Sequence, residues 1–432
     1  MRESAISLNL VEQRDIWYNY DKKIARLDLR IDQGLPPFYP VGPVTIIDDF
    51  NSGLRYFRDR VQGNCTITHL QNGTFDSMPV NSVMQQNGSY IQKMKFSRQV
   101  FDIDTNFTYV GSKTLEDGVP CDLWITTRSD LDLTGIGIPS NTTIEIYYLD
   151  KNFHYSPEEG VSWQVDGEFQ VPYRVTISAE DIGEFVTYDY SNFNPNEPPL
   201  SVFDTSDCYT DEQKLRIKIQ FTGEYHPDTE ARLVYNAQVT VAETMGLSPL
   251  RFQNIGLEYD SSYVYIRGSI LDRPPSYAQF TRLPGQEMEK QDDQVWSNIT
   301  DTAACSDLCI YTPDFTCNSF DFCPSDSNSC RLSKRRVEDG DPVLKKSICN
   351  HYSRTVNASI DTKTINAAFG DLQVQIYSEG LEVAVSKADG SVQDFIAVNV
   401  EIEYGFEENI PLPSLPDSFS YSTELIIPSQ SI

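Results

Sequence analysis

Six cysteines open three kinds of chemistry. Cys305, Cys309, Cys317, Cys323 and Cys330 fall within "CSDLCIYTPDFTCNSFDFCPSDSNSC", and Cys349 follows. Thiolates at this density could hold zinc, exchange disulfides, or be locked in bridges. Structural zinc sites repeat C-x2-4-C pairs at a distance, often completed by histidine. Only Cys305 and Cys309 form such a pair; the other intervals are seven, five, six and eighteen residues, and His351 stands alone after the last cysteine. A redox C-x-x-C is absent. An even set of cysteines among loop-forming Asp, Ser, Asn and Pro reads instead as three disulfides, hence an oxidising compartment. Three further cysteines, Cys65, Cys121 and Cys208, leave an odd count.

Asn-X-Ser/Thr tripeptides at Asn64, Asn72, Asn87, Asn106, Asn141, Asn298 and Asn357 point to the same compartment as acceptors for N-linked glycans. Catalytic constellations do not emerge. His69, His154, His226 and His351 are the four histidines, with no Gly-x-Ser-x-Gly or His-Glu-x-x-His near them. His154 beside Ser156, Glu158 and Glu159 imitates a hydrolase corner but reads as a surface loop. "DIDTN" places Asp102, Asp104 and Asn106 at the first ligand spacings of an EF-hand. Phe107 where Gly is needed and Lys113 where Glu is needed exclude one. "RLSKRR" at 331–336 reads as a solvated turn ahead of "VEDGDP".

The bulk numbers narrow the partners. The 432-residue chain carries 63 acidic against 34 basic residues, a net charge of −29, which repels nucleic-acid phosphates and anionic lipid headgroups. Weak, diffuse calcium binding is compatible with that charge; no other cofactor is expected. No run of 18 apolar residues occurs, so no helix of this segment is expected to span a membrane. The opening "MRESAISLNLVEQRD" lacks the pattern of a signal peptide.

The elements that must position these groups are mainly strands. Residues 16–31, "IWYNYDKKIARLDLRI", alternate: Ala25, Leu27, Leu29 and Ile31 face one way, Arg26, Asp28 and Arg30 the other. "VTIIDDFNSGLRYFRDR" continues as a hairpin turning at Asn-Ser-Gly. Short strands follow at regular spacing, and Pro/Asn-rich "SNFNPNEPPLSVFDTSDC" closes a β domain near 208. Residues 211–285 read as a small α+β domain, with "PDTEARLVYNAQVTVAETMG" as its helix. The cysteine module spans 295–355. Residues 356–408 read as strand-rich, and 412–432 follows a Pro break.

Two stretches resemble known families. "WYNYDKKIARLDLRI … IIDDFNSGLRYFRDRVQGNCTITHL … PCDLWITT … SVFDTSDC", over residues 5–208, resembles animal secreted proteins with a LolA-like domain, the group that includes the ependymin-related proteins. The segment "CSDLCIYTPDFTCNSFDFCPSDSNSCRLSKRR … SICNHYSR" looks like a PAN/Apple-type module, with a different cysteine spacing. The first resemblance implies a strongly curved antiparallel half-barrel with helices in its concavity, an apolar pocket linked to lipid binding, and links to calcium and extracellular matrix. The second implies contacts with protein or carbohydrate. The first also implies pairing of Cys65 with Cys208, leaving Cys121 for a cysteine upstream of Met1. The stretch 412–432 resembles the opening strand of another LolA-like domain, so the chain reads as a piece of a longer protein. Membrane anchoring by residues outside this segment is compatible with that reading.

The expected architecture is therefore mainly β with α+β: a LolA-like half-barrel, a small α+β domain, a disulfide-rich Apple-like module and part of a further β domain. The expected function is a non-catalytic extracellular binding protein that shelters a lipid or other apolar ligand. Its candidate cavity residues are Leu27, Leu29, Leu54, Tyr56, Trp124, Tyr148 and Trp163. From the residues alone, the aromatics Trp17, Tyr56, Trp124, Tyr147, Tyr148 and Trp163 read as ordinary sheet core in preference to a cavity lining, and the resemblance brings the two readings level. The alternative is a matrix or cell-surface adhesion protein using the cysteine module for protein or glycan contacts.

Overall fold

The structure, a computed structural model, describes residues 2–7, 10–31, 42–70, 76–79, 92–95, 106–131, 140–150, 152, 154–155, 163–164, 171–179, 183–194, 197–289, 293–335, 344–354, 363–387 and 389–403. Outside them lie Asn72, Asn87, Asn357, Asp102, Asp104, Ser156, Glu158, Glu159, the end of "RLSKRR" and all of 412–432; the side chains of His154 and Trp163 lie outside them too.

The first unit is built on strands β1 (Arg2–Ser7), β2 (Leu10–Asn19), β3 (Ile24–Ile31), β4 (Gly42–Asp49), β5 (Leu54–Asp59) and β6 (Cys65–His69). Then come β7 (Ser77–Pro79), β8 (Gln92–Met94), β9 (Thr108–Thr114), β10 (Pro120–Leu131) and β11 (Ser140–Leu149). The short β12 (His154–Tyr155) and β13 (Trp163–Gln164) precede β14 (Pro172–Ala179) and β15 (Glu184–Ser191). Eleven of these strands form one antiparallel sheet in the order β6-β5-β4-β3-β2-β1-β15-β14-β11-β10-β9, curled into a half-barrel. Its described residues hold two 3-10 turns near 200–208 and no α-helix, so the helices that the resemblance implies are not among them.

Turn chemistry sets the register. Asp49 closes β4: one carboxylate oxygen accepts the Asn51 amide (2.9 Å), the other the Ser52 hydroxyl (2.8 Å), and Gly53 takes φ 71°. The hairpin then pairs Asp49 with Leu54, Asp48 with Arg55 and Ile47 with Tyr56. One face of β3–β6 buries Ile24, Ile47, Leu54, Tyr56 and Ile67 against Leu200, Phe203 and Tyr209 and, further along the chain, Val239, Leu250, Leu271 and Ala278. Full burial of a side chain such as Leu54 contributes about 1.5–3 kcal/mol.

The second sheet, in the order β17-β18-β16-β25-β24, draws on two segments far apart in sequence. β16 (Lys214–Thr222), α1 (Glu230–Met245), β17 (Phe252–Tyr259) and β18 (Val264–Leu271) come first; a helix and five strands intervene before α3 (Ile365–Val374), β24 (Leu381–Ser386) and β25 (Val392–Ile402). β25 pairs with β16, so stretches that the sequence separates as 211–285 and 356–408 share one sheet. Leu233, Ala237 and Val241 of α1 and Ala368 and Leu372 of α3 cover Ile217, Ile219, Phe221, Ile266 and Phe395. The sequence reads α3 as strand-rich. Its capping signal is there: the Thr364 hydroxyl accepts the Ala367 amide at 3.3 Å.

Between these segments lie β19 (Phe280–Met288), β20 (Gln294–Trp296), α2 (Thr302–Tyr311), β21 (Ser319–Cys323), β22 (Ser329–Ser333) and β23 (Leu344–Arg354). They form a sheet in the order β19-β23-β21-β22-β20 with α2 packed on it. Three disulfides hold it: Cys305–Cys330, Cys309–Cys317 and Cys323–Cys349.

Asp49 also joins the units, because the Ser248 hydroxyl donates to it at 2.8 Å. Burial pushes its carboxyl above the ordinary Asp value against the pull of those hydrogen bonds. A raised folded-state pKa favours folding below the unfolded value, and that contribution is lost as pH rises through the folded value. Asp49→Asn keeps an acceptor for the Asn51 amide and removes the titration. The urea midpoint of the variant relative to the wild type should therefore rise as pH climbs above the unfolded Asp value of about 4; a gap that shrinks with rising pH would contradict this account.

Candidate ligand-binding face

Register extends one sheet face across the whole half-barrel. Leu27 opposes Ile16 and Ile46, and Leu29 opposes Arg14 and Val44. Arg14 opposes Glu3, and Glu3 opposes Tyr190. At the other end Trp124 opposes Ile146, Ile146 opposes Val175, and Val175 opposes Tyr188. Directly opposed residues share a face, so Leu27, Leu29, Trp124 and Tyr148 lie on one side of the sheet. Trp124, Ile146, Tyr148, Val175, Tyr188 and Tyr190 pack together there, and burial pushes the Tyr148 hydroxyl up to about 12.

A cavity of about 230 Å³ opens on this face beside β2–β5. Ala25, Leu27, Leu29 and Ile46 give it an apolar floor, while Arg14, Asp48, Arg55 and Asp76 supply the polar wall. Asp48 and Arg55, paired across the hairpin, are both nearly buried, with two bonds of 2.7 and 2.5 Å. The hairpin of β7 and β8 lies on the same side: Tyr18 donates its hydroxyl to the Lys95 carbonyl, and burial with Asp76 nearby pushes that hydroxyl up. Between the cavity and the aromatic cluster runs a polar row. Arg14 reaches Glu12 at 2.7 Å and Glu3 at 3.6 Å, and Tyr190 hydrogen-bonds to Glu3. Burial first, tempered by Arg14, holds the Glu3 carboxyl above its ordinary value.

Leu54 and Tyr56, expected in this cavity, lie on the opposite face, in the core against Leu200, Phe203 and Tyr209. The hairpin register puts them opposite Asp49 and Ile47, one residue out of step with Asp48 and Ile46. A one-residue offset exchanges the faces of a strand. Arg26 and Asp28 lie on that covered face too. The Arg26 guanidinium sits 4.8 Å over the Trp17 ring and donates to Asp28 and to the Val202 carbonyl. The sequence reading missed Arg14, Asp48, Arg55 and Asp76. Asp48 and Arg55 had a signal: they stand symmetrically about the Asn-Ser-Gly turn.

The remaining candidates are dispersed. Cys65 bonds Cys208, whereas Cys121 is buried and unbonded within the chain, its thiol pushed up to about 12 by burial. Asn64, Asn106, Asn141 and Asn298 are exposed. Among the described residues Glu287, Cys323 and Cys349 come close enough to share a cation, but both sulfurs are already in a disulfide. His351 Nδ1 lies 2.6 Å from Asp321 Oδ1, both buried, a pair internal to the disulfide-bonded sheet. No helix among the described residues is long and apolar enough to cross a membrane.

No curated protein matches the chain. Residues 3–209 match the family model of the metazoan 2nd LolA-like domain, the stretch that forms the half-barrel and its closing segment. That part of the chain is a metazoan LolA-like domain.

Proposed function

We propose that this chain is a non-catalytic extracellular binding protein whose LolA-like domain shelters a lipid chain or another apolar ligand. The observation that carries the reading is the cavity floored by Ala25, Leu27, Leu29 and Ile46 on the sheet face that does not pack on the second unit. Each methylene buried there contributes about 0.8 kcal/mol, so a long chain binds without a charged anchor. Four disulfides and four exposed sequon asparagines support secretion with N-linked glycans at Asn64, Asn106, Asn141 and Asn298. The test is titration of the purified chain with a fluorescent long-chain acyl ester below its aggregation threshold. Saturable, stoichiometric uptake is expected, together with copurifying lipid in a solvent extract. No saturable uptake of any acyl probe would end this reading.

A second reading, adhesion through an Apple-like disulfide module, draws on its edge strand β20, where Val295 and Trp296 are exposed. Solid-phase binding to matrix proteins or glycans that is lost in Trp296→Ala would favour it.

A further inference from the structure

We infer that the cavity selects a single-chain, uncharged amphiphile, such as a long-chain alcohol or monoacylglycerol, over a free fatty acid; this rests on the binding function proposed above. The inference follows from the charges that face the bound chain. Two cations line the cavity, and each already has carboxylate partners. Arg55 is held by Asp48 through two short bonds, with both side chains nearly buried. Arg14 is held by Glu12 at 2.7 Å and faces Glu3 at 3.6 Å. Asp76 adds a further acid to the wall. Around the cavity itself, Glu3, Glu12, Asp48 and Asp76 therefore stand beside Arg14 and Arg55.

A fatty acid would bring an ionised carboxylate into that setting. It would have to displace Glu12 or Asp48 from its arginine, or lose its own hydration beside acids, and a buried carboxylate without a cation is costly. A hydroxyl or an ester carbonyl meets no such barrier. The Arg14 Nε–H is buried and has no acceptor among the described residues. A neutral oxygen beside Arg14 does not compete with Glu12 and Glu3 for the guanidinium, so it leaves those bonds undisturbed. The carboxylate of Asp76, which lines the cavity, can in turn accept from a hydroxyl. Arg14 is thus the specificity-determining residue, and Glu12 keeps it from recruiting anions. The size of the cavity agrees. About 230 Å³ lies below the usual range for drug-sized ligands, which gives room to part of one chain and not to the two chains of a phospholipid.

The test uses the whole chain at pH 8 with two probes of the same length, a fluorophore-labelled octadecanoic acid and its glyceryl monoester, in the wild type and in Glu12→Gln. In the wild type the monoester should bind at least about tenfold more tightly than the acid. Glu12→Gln releases Arg14 from its closest partner, at a half-exposed position where the fold tolerates the change. Acid binding should then strengthen about three- to tenfold, at the scale of a charge-assisted hydrogen bond, while monoester binding stays within about twofold. The second comparison matters because a greasier probe would bind any apolar surface better, whatever the charges around it. Acid binding as tight as the monoester in the wild type would overturn the selectivity and leave the apolar cavity standing. So would acid binding that Glu12→Gln leaves unchanged. Failure of both probes to bind saturably would instead remove the binding function on which the inference rests.

Discussion

Leu27→Asp should abolish saturable uptake of an uncharged long-chain probe while leaving the chain folded. Leu27 lies in the middle of the cavity floor, opposite Ile16 on one neighbouring strand and Ile46 on the other, and it is half-buried. Aspartate there takes away apolar contact for the ligand and forces a carboxylate out of water whenever a chain binds. Losing contact with a few methylenes and desolvating the new charge together cost about 3 kcal/mol or more, a fall of more than about a hundredfold in affinity. Without ligand the carboxylate stays hydrated, so the thermal midpoint should change little. Leu29→Asp is the milder version, since Leu29 opposes Arg14 and the new acid acquires a cationic neighbour. Asp28→Asn is the control from the covered face: it should lower stability, because Asp28 receives the Arg26 guanidinium, and leave affinity unchanged. Probe titration of the three variants beside their melting curves reads all of this. Full-strength binding by Leu27→Asp would place the ligand elsewhere.

The contrast between Leu27 and Leu54 shows how far the sequence carries the site. Alternation along β3 is visible in the residues themselves, and it separates Leu27 and Leu29 from Arg26 and Asp28 without further information. What alternation lacks is a reference between strands. Leu54 and Tyr56 alternate just as cleanly, yet their side is settled by where the Asp49–Gly53 turn closes, and the turn pairs them with Asp49 and Ile47. The covered face is hard to foresee for a second reason. It is covered by Val239, Leu250, Leu271 and Ala278, which come from far along the chain. The polar wall escaped because charges in a strand read as solvent-facing, whereas Asp48 and Arg55 neutralise one another inside. The second sheet escaped on similar grounds. β16 and β25 pair across an insertion that carries its own sheet and disulfides, and nothing local to either strand records that partnership. The disulfides were the most legible feature, because an even count within one short stretch restricts the outcome before any geometry is known.

Removal of the Cys65–Cys208 bridge should be the most damaging cysteine change in the chain. The bridge spans 143 residues and ties β6, an edge strand of the half-barrel, to the segment that carries Leu200, Phe203 and Tyr209 onto the covered face. In the chain-entropy account, opening a loop of that size costs about 5 kcal/mol, against about 2.6 kcal/mol for the 8-residue separation of Cys309–Cys317. The long bridge also secures a contact that the local chain does not. Among the described residues strand pairing holds β6 along β5 alone, and the 200–209 segment has short turns in place of a sheet partner. Without the bridge, that segment is kept in place by side-chain packing and by ion pairs such as Arg58–Asp207, whose partners are both exposed and which therefore add little. The double variants Cys65→Ala with Cys208→Ala and Cys309→Ala with Cys317→Ala isolate the two cases, because each leaves three disulfides intact. Urea unfolding followed by near-ultraviolet circular dichroism should give the first variant the larger loss, by roughly a factor of two. Proteolysis under native conditions should then cut it first within 193–209. Equal losses would mean that strain and packing, and not loop closure, set the worth of these bridges. A larger loss for the short bridge would mean that the covered face is held by its apolar core alone.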